Sequence, residues 1–197
     1  GGMSLFEHAP FGVIGSITPS TNPTATIINN TISMVAAGNA VVFNVHPSAK
    51  ECSIRCVDVI NRAIVEVGGP ENLVVTMADP TQESAQALMV HKGIRIVVVT
   101  GGAGVVEAAM KSGKRAICAG PGNPPIVVDE TADLEQAGRD IVLGASFDNN
   151  VICTDEKETF AVGGITDKLL AVMRANGAAI LTQSQTKQLE NLIFTEN

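Results

Sequence analysis

The sequence predicts an α/β protein in which α-helices cover both faces of a parallel β-sheet. Short apolar runs alternate with segments of helical periodicity, and the connections between them are short. The chain has 197 residues and is 45% hydrophobic, which is enough for a sizeable core without disulfide bonds. It contains no Trp or Tyr and only six Phe. Its core must therefore be built from aliphatic side chains, which suits this class better than a β-sandwich.

The first part of the chain sets the strand–helix alternation. Residues 11–17 form an apolar run typical of a buried strand, and a helix is expected at 24–37, where Gly38 and Asn39 close it. A second strand is expected at 40–45. A long helix at 48–67 should follow, because a Pro-Ser pair opens it and a Gly-Gly-Pro sequence ends it.

The same alternation continues to residue 146. The strongest strand signal is a run of four consecutive Ile and Val residues at 96–99. The remaining elements of this part are expected at 73–77 (strand), 81–90 (helix), 95–100 (strand), 103–112 (helix), 114–119 (strand), 125–128 (strand) and 133–146 (helix).

The character of the chain changes after Phe147, where a polar Asp-Asn-Asn turn precedes a short apolar stretch and then a charged one. A strand at 159–162 and a helix at 165–176 follow, whereas 182–197 shows no clear closing element. We therefore expect a domain boundary near residue 147, and a chain that is part of something larger.

Composition excludes several classes of function. A net charge of −7 argues against nucleic acid or an anionic membrane as the main partner. No apolar run is long enough for a transmembrane helix, and we expect the initial Gly-Gly to be a cloning remnant or an internal cut, with no signal peptide. Four Cys without paired spacing indicate reduced thiols in the cytosol.

Three connections should lie at the carboxyl ends of the predicted strands, where open α/β sheets bind ligands. They are 18–23 (TPSTNP), 46–48 (HPS) and 100–104 (TGGAG). Glycines before a helix allow close approach of a phosphate to free backbone N–H groups. The glycine spacing differs from the usual dinucleotide fingerprint, so the pattern alone leaves open a tight turn that binds nothing.

Two of the four cysteines are expected to be small core residues. Cys52 and Cys56 are four residues apart, and they share a helical face with Ala49, Ile60 and Val67 that we expect to be buried. The three His are scattered along the chain, so the sequence predicts no metal site.

The other two cysteines lie nearer the expected ligand edge. Cys118 ends a strand and is expected in the core. Cys153 follows the polar turn that contains Asn149 and Asn150, at the expected boundary between domains. A reactive thiol would be useful there, although spacing alone also allows a structural one.

Several motifs in order resemble the aldehyde dehydrogenase family, and in particular its CoA-acylating branch, the acetaldehyde and propionaldehyde dehydrogenases of ethanolamine and propanediol utilisation. The resemblance covers the middle of that family's chain. Its motifs here are 10–15 (PFGVIG), 18–23 (TPSTNP), 28–30 (INN), 45–50 (VHPSAK), 99–102 (VTGG), 120–125 (GPGNPP) and 146–150 (SFDNN), which leads to Cys153.

This resemblance implies a chemical role for a few residues. Cys153 would be the nucleophile, and the backbone N–H of that cysteine with the side chain of Asn22 would stabilise the alkoxide. A match without gaps puts Thr21 at the amide position, so the choice between Thr21 and Asn22 stays open. Ala119 aligns with the glutamate that activates water in hydrolytic members, so the resemblance implies that the thiol of coenzyme A, and not water, releases the product.

The resemblance also implies an NAD site. Pro19, Ser20 and Thr21 would line the nicotinamide and pyrophosphate side, and His46 stands where hydrolytic members have a lysine on the adenine ribose, with Ser48 beside it. The lack of a nearby cation favours NAD over NADP. The other implied contacts are the pyrophosphate for Thr100, Gly101 and Gly102, the adenine for Val105, and the nicotinamide amide for Gly120.

At the level of the whole protein, the resemblance implies a Rossmann-like dinucleotide-binding domain at 1–147, partial, and the beginning of a second α/β catalytic domain at 148–197. The implied partners are a short-chain aldehyde, coenzyme A and further copies of the same chain, in the cytoplasm or in a bacterial microcompartment. Two alternatives are a related semialdehyde or acyl-phosphate reductase, and a nucleotide-binding domain without catalysis.

Overall fold

The computed structural model describes residues 1–194 and divides the chain into two compact units, Gly1–Gly122 and Asn123–Asn197. The first unit contains one five-stranded sheet. Its strands are β1 (Val13–Ile17), β2 (Ala40–Asn44), β3 (Val74–Thr76), β4 (Ile94–Thr100) and β5 (Arg115–Ala119). Its helices are α1 (Pro23–Ala36), α2 (Lys50–Glu66), which follows a 3-10 turn at Pro47–Ala49, α3 (Gln82–Val90) and α4 (Ala103–Lys111).

All neighbouring strands of this sheet are parallel, in the order β3-β2-β1-β4-β5. The central strand β1 pairs on one side with β2 and on the other with β4, so Ile14 lies between Val41 and Ile96. The strands that follow β1 in the chain, β2 and β3, lie on one side of it, whereas β4 and β5 lie on the other side. The strand order therefore reverses between β1 and β4. Ligands of open α/β sheets bind at such a reversal, beyond the carboxyl ends of the strands.

Apolar side chains cover both faces of the sheet, as a strand period of two requires. On β4, Ile96 joins a cluster on one face with Phe43 and Ile27, which are fully buried. Its neighbour Val97 joins a second cluster, to which Leu88 of α3 belongs. The predicted parallel sheet with helices on both faces is therefore confirmed.

Up to residue 194, the second unit contains two parallel strands and three helices. Its elements are β6 (Pro125–Val128), α5 (Leu134–Ser146), a 3-10 turn at Phe147–Asn150, β7 (Glu158–Ala161), α6 (Thr166–Ala175) and α7 (Gln183–Ile193). Val128, Ile141 and Leu169 form its core. Gly138 of α5 allows a close approach of α6, since a Cβ atom there would lie 2.6 Å from Val172 Cγ1.

The compact units do not divide near residue 147, where the sequence predicts a domain boundary. β6 pairs with β7, and α5 packs with α6, so residues 123–147 belong to the second unit. The pairing joins segments about thirty residues apart, and a change in local composition cannot reveal it.

The C-terminal stretch contains a helix that the sequence analysis missed. α7 begins with a capping box, in which Thr182 and Gln185 bind each other's backbone N–H groups. That Thr-x-x-Gln spacing was an available signal. Residues 195–197 of the predicted open end lie outside the described part. Within residues 1–194, no helix is both long and apolar enough to cross a bilayer.

Candidate active site

The connection from β1 to α1 is the central part of the predicted ligand edge. Thr18 follows β1 directly, and its backbone N–H donates to the Asn44 carbonyl at 3.3 Å. Thr18 is buried, and its hydroxyl has no hydrogen-bond partner within residues 1–194. Pro19 is half-buried, whereas Ser20 and Thr21 are exposed. A buried hydroxyl without a partner at this edge is a group that a polar ligand can satisfy.

Asn22 precedes α1, but its side chain does not cap the helix. The Asn22 carbonyl accepts two hydrogen bonds from Thr26, at 3.2 Å from the backbone N–H and at 2.6 Å from the hydroxyl. Within the described part of the chain, the Asn22 carboxamide forms no hydrogen bond. The side chain is half-buried, so it offers an amide donor that the fold itself does not use.

A local hydrogen bond orders the connection after β2. His46 Nδ1 accepts from the Ser48 N–H at 3.2 Å and lies 2.7 Å from the Ser48 hydroxyl. Because Nδ1 accepts, the neutral ring carries its proton on Nε2. Both residues are exposed, so they are accessible to a ligand at this edge.

A cation follows this connection in the chain, and it is paired with an acidic side chain. Lys50 begins α2, two residues after Ser48, and its Nζ lies 2.9 Å from Asp79 Oδ1. The hydrogen bond to Asp79 raises the pKa of Lys50, and the ammonium group lowers the pKa of Asp79. Lys50 is part of the VHPSAK motif, so the sequence shows the cation itself. Its partner Asp79 lies in a later loop, so local sequence does not show that the two side chains pair.

The connection from β4 to α4 contains two glycines with different roles. A Cβ atom on Gly101 would lie 2.7 Å from Val105 Cγ1, so packing explains this glycine. Gly102 caps α4 at φ −67° and ψ 168°, and a Cβ atom there would meet nothing within 4 Å. No side chain caps α4, so its first N–H groups are available to an anion.

Val105 and Thr100 are half-buried beside these glycines. Val105 packs against the second core cluster as well as against Gly101, so part of its surface is committed to the fold. Only the remaining part can contact an adenine ring.

The end of β5 completes the edge. Ala119 is exposed, and its carbonyl accepts from the Gly101 N–H at 3.1 Å, which ties this end to the β4 connection. Gly120 is exposed, with free space where a Cβ atom would be. The side chain of Ala119 is a methyl group, which cannot accept a proton.

These residues of the first unit fit a dinucleotide. They follow β1, β2, β4 and β5, whose carboxyl ends lie at one edge of the sheet around the reversal of strand order. The orphaned hydroxyl of Thr18, the uncapped start of α4 and the open space at Gly102 and Gly120 are suited to a ligand with phosphates and polar edges.

Cys153 lies in the second unit, in the loop after the 3-10 turn. It is half-buried and forms no disulfide. The buried carboxylate of Asp155 accepts from the Ile152 N–H at 3.2 Å, which orders the loop around the thiol. The residue is therefore partly accessible, as a nucleophilic cysteine must be.

The predicted burial of the face with Cys52 and Cys56 is only partly correct. Cys56 packs against the core, and this burial raises the pKa of its thiol. Cys52 and Val67 are exposed, since the buried side of α2 is displaced toward Ser53 and Val57. In the described residues, no three His, Cys, Asp or Glu side chains are grouped to hold a metal ion.

The class of the protein follows from comparison with known families. The model of the aldehyde dehydrogenase family matches residues 1–190, and the chain belongs to this family. The resemblance inferred from the sequence motifs is confirmed.

Two individual relatives show how similar the chain is to particular members of this family. The chain is 54% identical over 194 residues to the acetaldehyde dehydrogenase (acetylating) EutE of Salmonella typhimurium, covering 98% of this chain and 42% of that protein. It is 50% identical over 196 residues to the propanal dehydrogenase (CoA-propanoylating) of the same organism, covering 100% of this chain and 42% of that one. The chain thus spans about two fifths of the length of these relatives.

A solved structure adds a chemical observation about a relative. The fold is similar to the propionaldehyde dehydrogenase of Rhodopseudomonas palustris, with a TM-score of 0.86, 50% identity, and coverage of 94% of this chain and 42% of that one. That protein was crystallised with bound CoA and an acylated cysteine.

Proposed function

We propose that the protein to which this chain belongs is a CoA-acylating aldehyde dehydrogenase. It would oxidise a short-chain aldehyde to an acyl-CoA, with NAD as hydride acceptor, and the reaction would be reversible. The observation that supports this most directly is the free, half-buried Cys153, in a chain half identical to a protein that was crystallised with CoA and an acylated cysteine.

In the proposed mechanism, Cys153 loses its proton, and its thiolate adds to the aldehyde carbon to form a thiohemiacetal. The negative charge on the former carbonyl oxygen needs hydrogen-bond donors, which the Cys153 N–H and the unused carboxamide of Asn22 would supply. Thr21 is the alternative donor. Asn22 is favoured because its side chain is half-buried and has no structural partner, whereas Thr21 is exposed.

A nicotinamide cofactor would supply the hydride acceptor. Loss of a hydride from the thiohemiacetal carbon, as the alkoxide collapses, would leave a thioester on Cys153. The thiolate of coenzyme A then attacks the thioester carbonyl, and the Cys153 thiolate leaves. Ala119 at the end of β5 provides no base for water, so hydrolysis of the thioester should be slow. One aldehyde, one NAD⁺ and one CoA thus give one acyl-CoA, one NADH and one proton.

The dinucleotide would lie along the ligand edge of the first unit. The pyrophosphate is assigned to Thr100, Gly101 and Gly102, where the uncapped N-terminus of α4 favours negative charge. The other assignments are Pro19, Ser20 and Thr21 with Gly120 for the nicotinamide side, His46 and Ser48 for the adenine ribose, and Val105 for the adenine.

Further assignments concern the surroundings of the enzyme. We propose that it works as a homo-oligomer in the cytoplasm or in a bacterial microcompartment. A relative with a TM-score of 0.87 and 48% identity is a propionaldehyde dehydrogenase from a microcompartment of Clostridium phytofermentans.

The decisive experiment is mass spectrometry of the full-length protein after incubation with propionyl-CoA. The expected result is one propionyl group, on the peptide that contains Cys153. Cys153→Ser should abolish the label and the turnover, whereas Cys118→Ser should retain both, since Cys118 is partly buried and packs against the core cluster of the sheet. A label on another residue, or turnover by Cys153→Ser, would contradict the mechanism.

A second assay separates the alternatives. NAD reduction by the full-length protein should require aldehyde and CoA together. Activity with phosphate in place of CoA would indicate an acyl-phosphate reductase, and the absence of thiol acylation and turnover would indicate a binding domain without catalysis.

A further inference from the structure

The segment before Cys153 has a backbone that needs external support. Asp148, Asn149 and Asn150 all have positive φ angles, of 44°, 54° and 59°. Asn and Asp tolerate this left-handed region better than most residues, but three in succession are unusual. Contacts from neighbouring residues must therefore hold this segment in place.

Asn150 supplies part of that support through its whole carboxamide. Its Nδ2 donates to the carbonyl of Ala145, at the end of α5, at 2.7 Å and to the carbonyl of Glu156 at 3.0 Å. Its Oδ1 accepts from Lys157 Nζ at 2.7 Å. The side chain thus connects the end of the preceding helix to the start of the following strand.

Lys157 closes the loop from the other side. Its Nζ also donates to the backbone carbonyls of Asn150 and Ile152, each at 3.2 Å. An ammonium group has three N–H donors, so these three oxygens match its full capacity. Within residues 1–194, Lys157 forms no ion pair with a carboxylate. In the described residues, all the hydrogen bonds of its ammonium group go to the loop that contains Cys153.

The Ile152 carbonyl connects the Lys157 contacts to Cys153. It belongs to the same planar peptide group as the N–H of Cys153, so whatever fixes the oxygen also fixes the plane of that N–H. A charged donor on the oxygen polarises the peptide group and makes its N–H a stronger donor. Asp155 contacts both peptide groups of Ile152, because its backbone N–H donates to the Ile152 carbonyl at 3.2 Å and its carboxylate accepts from the Ile152 N–H. Lys157 is the charged donor on that carbonyl.

We propose that Lys157 is a positioning residue that orients and polarises the peptide group between Ile152 and Cys153, so that the Cys153 N–H can bind the alkoxide. This inference rests on the proposed function, in which Cys153 is the nucleophile. Lys157 acts through Cys153 and does not itself touch the substrate.

The test compares two reactions of the same sulfur in the full-length protein. Acylation by propionyl-CoA passes through an oxyanion, whereas alkylation by iodoacetamide does not. Lys157→Met should slow acylation and kcat by about tenfold to a hundredfold, with KM for aldehyde and CoA retained. Alkylation at the same pH should stay essentially at the wild-type rate.

Lys168→Met is the matched control, because Lys168 is an exposed lysine of α6 in the same unit. It should leave both reactions unchanged. Wild-type acylation by Lys157→Met would overturn the inference, and so would an equal loss of acylation and alkylation, which would indicate a general loss of loop structure.

A variant that fails to fold would not end the test. Lys157→Arg keeps the charge, but a planar guanidinium cannot reproduce the three contacts of a compact ammonium. A selective loss of acylation in Lys157→Arg supports the inference, and wild-type acylation overturns it. If wild-type Cys153 is not acylated at all, the proposed function fails instead.

Discussion

Substituting Gly102 by alanine should separate cofactor binding from folding. The backbone of Gly102 is extended, at φ −67° and ψ 168°, which alanine adopts without strain. The added methyl group would meet no protein atom within 4 Å. The expected cost is that of a poorer helix cap, about 0.5–1 kcal/mol of the free energy of unfolding.

The same methyl group should strongly impair dinucleotide binding. It would project at the uncapped start of α4, where the pyrophosphate is proposed to approach the backbone. A displaced pyrophosphate loses its hydrogen bonds to the helix N-terminus. We therefore expect the dissociation constant for NADH to rise by at least about tenfold, which corresponds to ~1.4 kcal/mol.

The assay is a fluorescence titration of the full-length protein with NADH, paired with urea unfolding without cofactor. Gly163→Ala is the control, because a Cβ atom there also meets nothing within 4 Å but lies in the second unit. It should leave NADH affinity unchanged. Wild-type affinity in Gly102→Ala would refute the reasoning, because no ligand atom could then occupy the space of the methyl group.

Four further substitutions test other features. Asn22→Ala should lower kcat by about a hundredfold or more without destabilising the uncapped α1, while Thr21→Ala has little effect, as steady-state kinetics would show. Gly138→Ala should lower the urea midpoint, because overpacking against a valine of α6 costs about 1–3 kcal/mol and exceeds the gain in helix propensity. The hydrogen bond from Lys50 lowers the pKa of Asp79. The contribution of this hydrogen bond to stability is therefore present above the ordinary Asp pKa and is lost as pH falls through the lowered pKa. The melting temperature of Asp79→Asn should therefore be slightly lower at neutral pH and converge with the wild type in acid.

Local sequence was sufficient for most of the first unit. The Ile and Val run of β4 predicts a strand buried on both faces, and the structure places that strand beside the central one. The motifs around residues 18–23 and 100–104 predict strand-to-helix connections at one edge, and the structure has them there. Both features can be predicted from sequence because they depend on residues that are close together in the chain. One is the period of apolar side chains, and the other is the backbone conformation that Gly and Pro favour.

Other features depend on residues far apart in sequence. Lys50 meets Asp79 across 29 positions, so local sequence did not reveal that a cation near the ribose connection is paired. Cys52 is exposed although helical spacing placed it with Cys56, because the side of α2 that is buried is centred on Ser53 and Val57.

The sequence by itself determined the class of fold and the order of the motifs, and it marked Cys153 as the candidate nucleophile. The tertiary structure decided where the chain divides, because β6 finds its partner in β7 after the predicted boundary. It also decided how the Cys153 loop is held, through three oxygens that converge on Lys157. Local patterns report which side chains prefer burial, whereas only the folded chain determines which polar groups then meet, because each must find a partner once water is excluded.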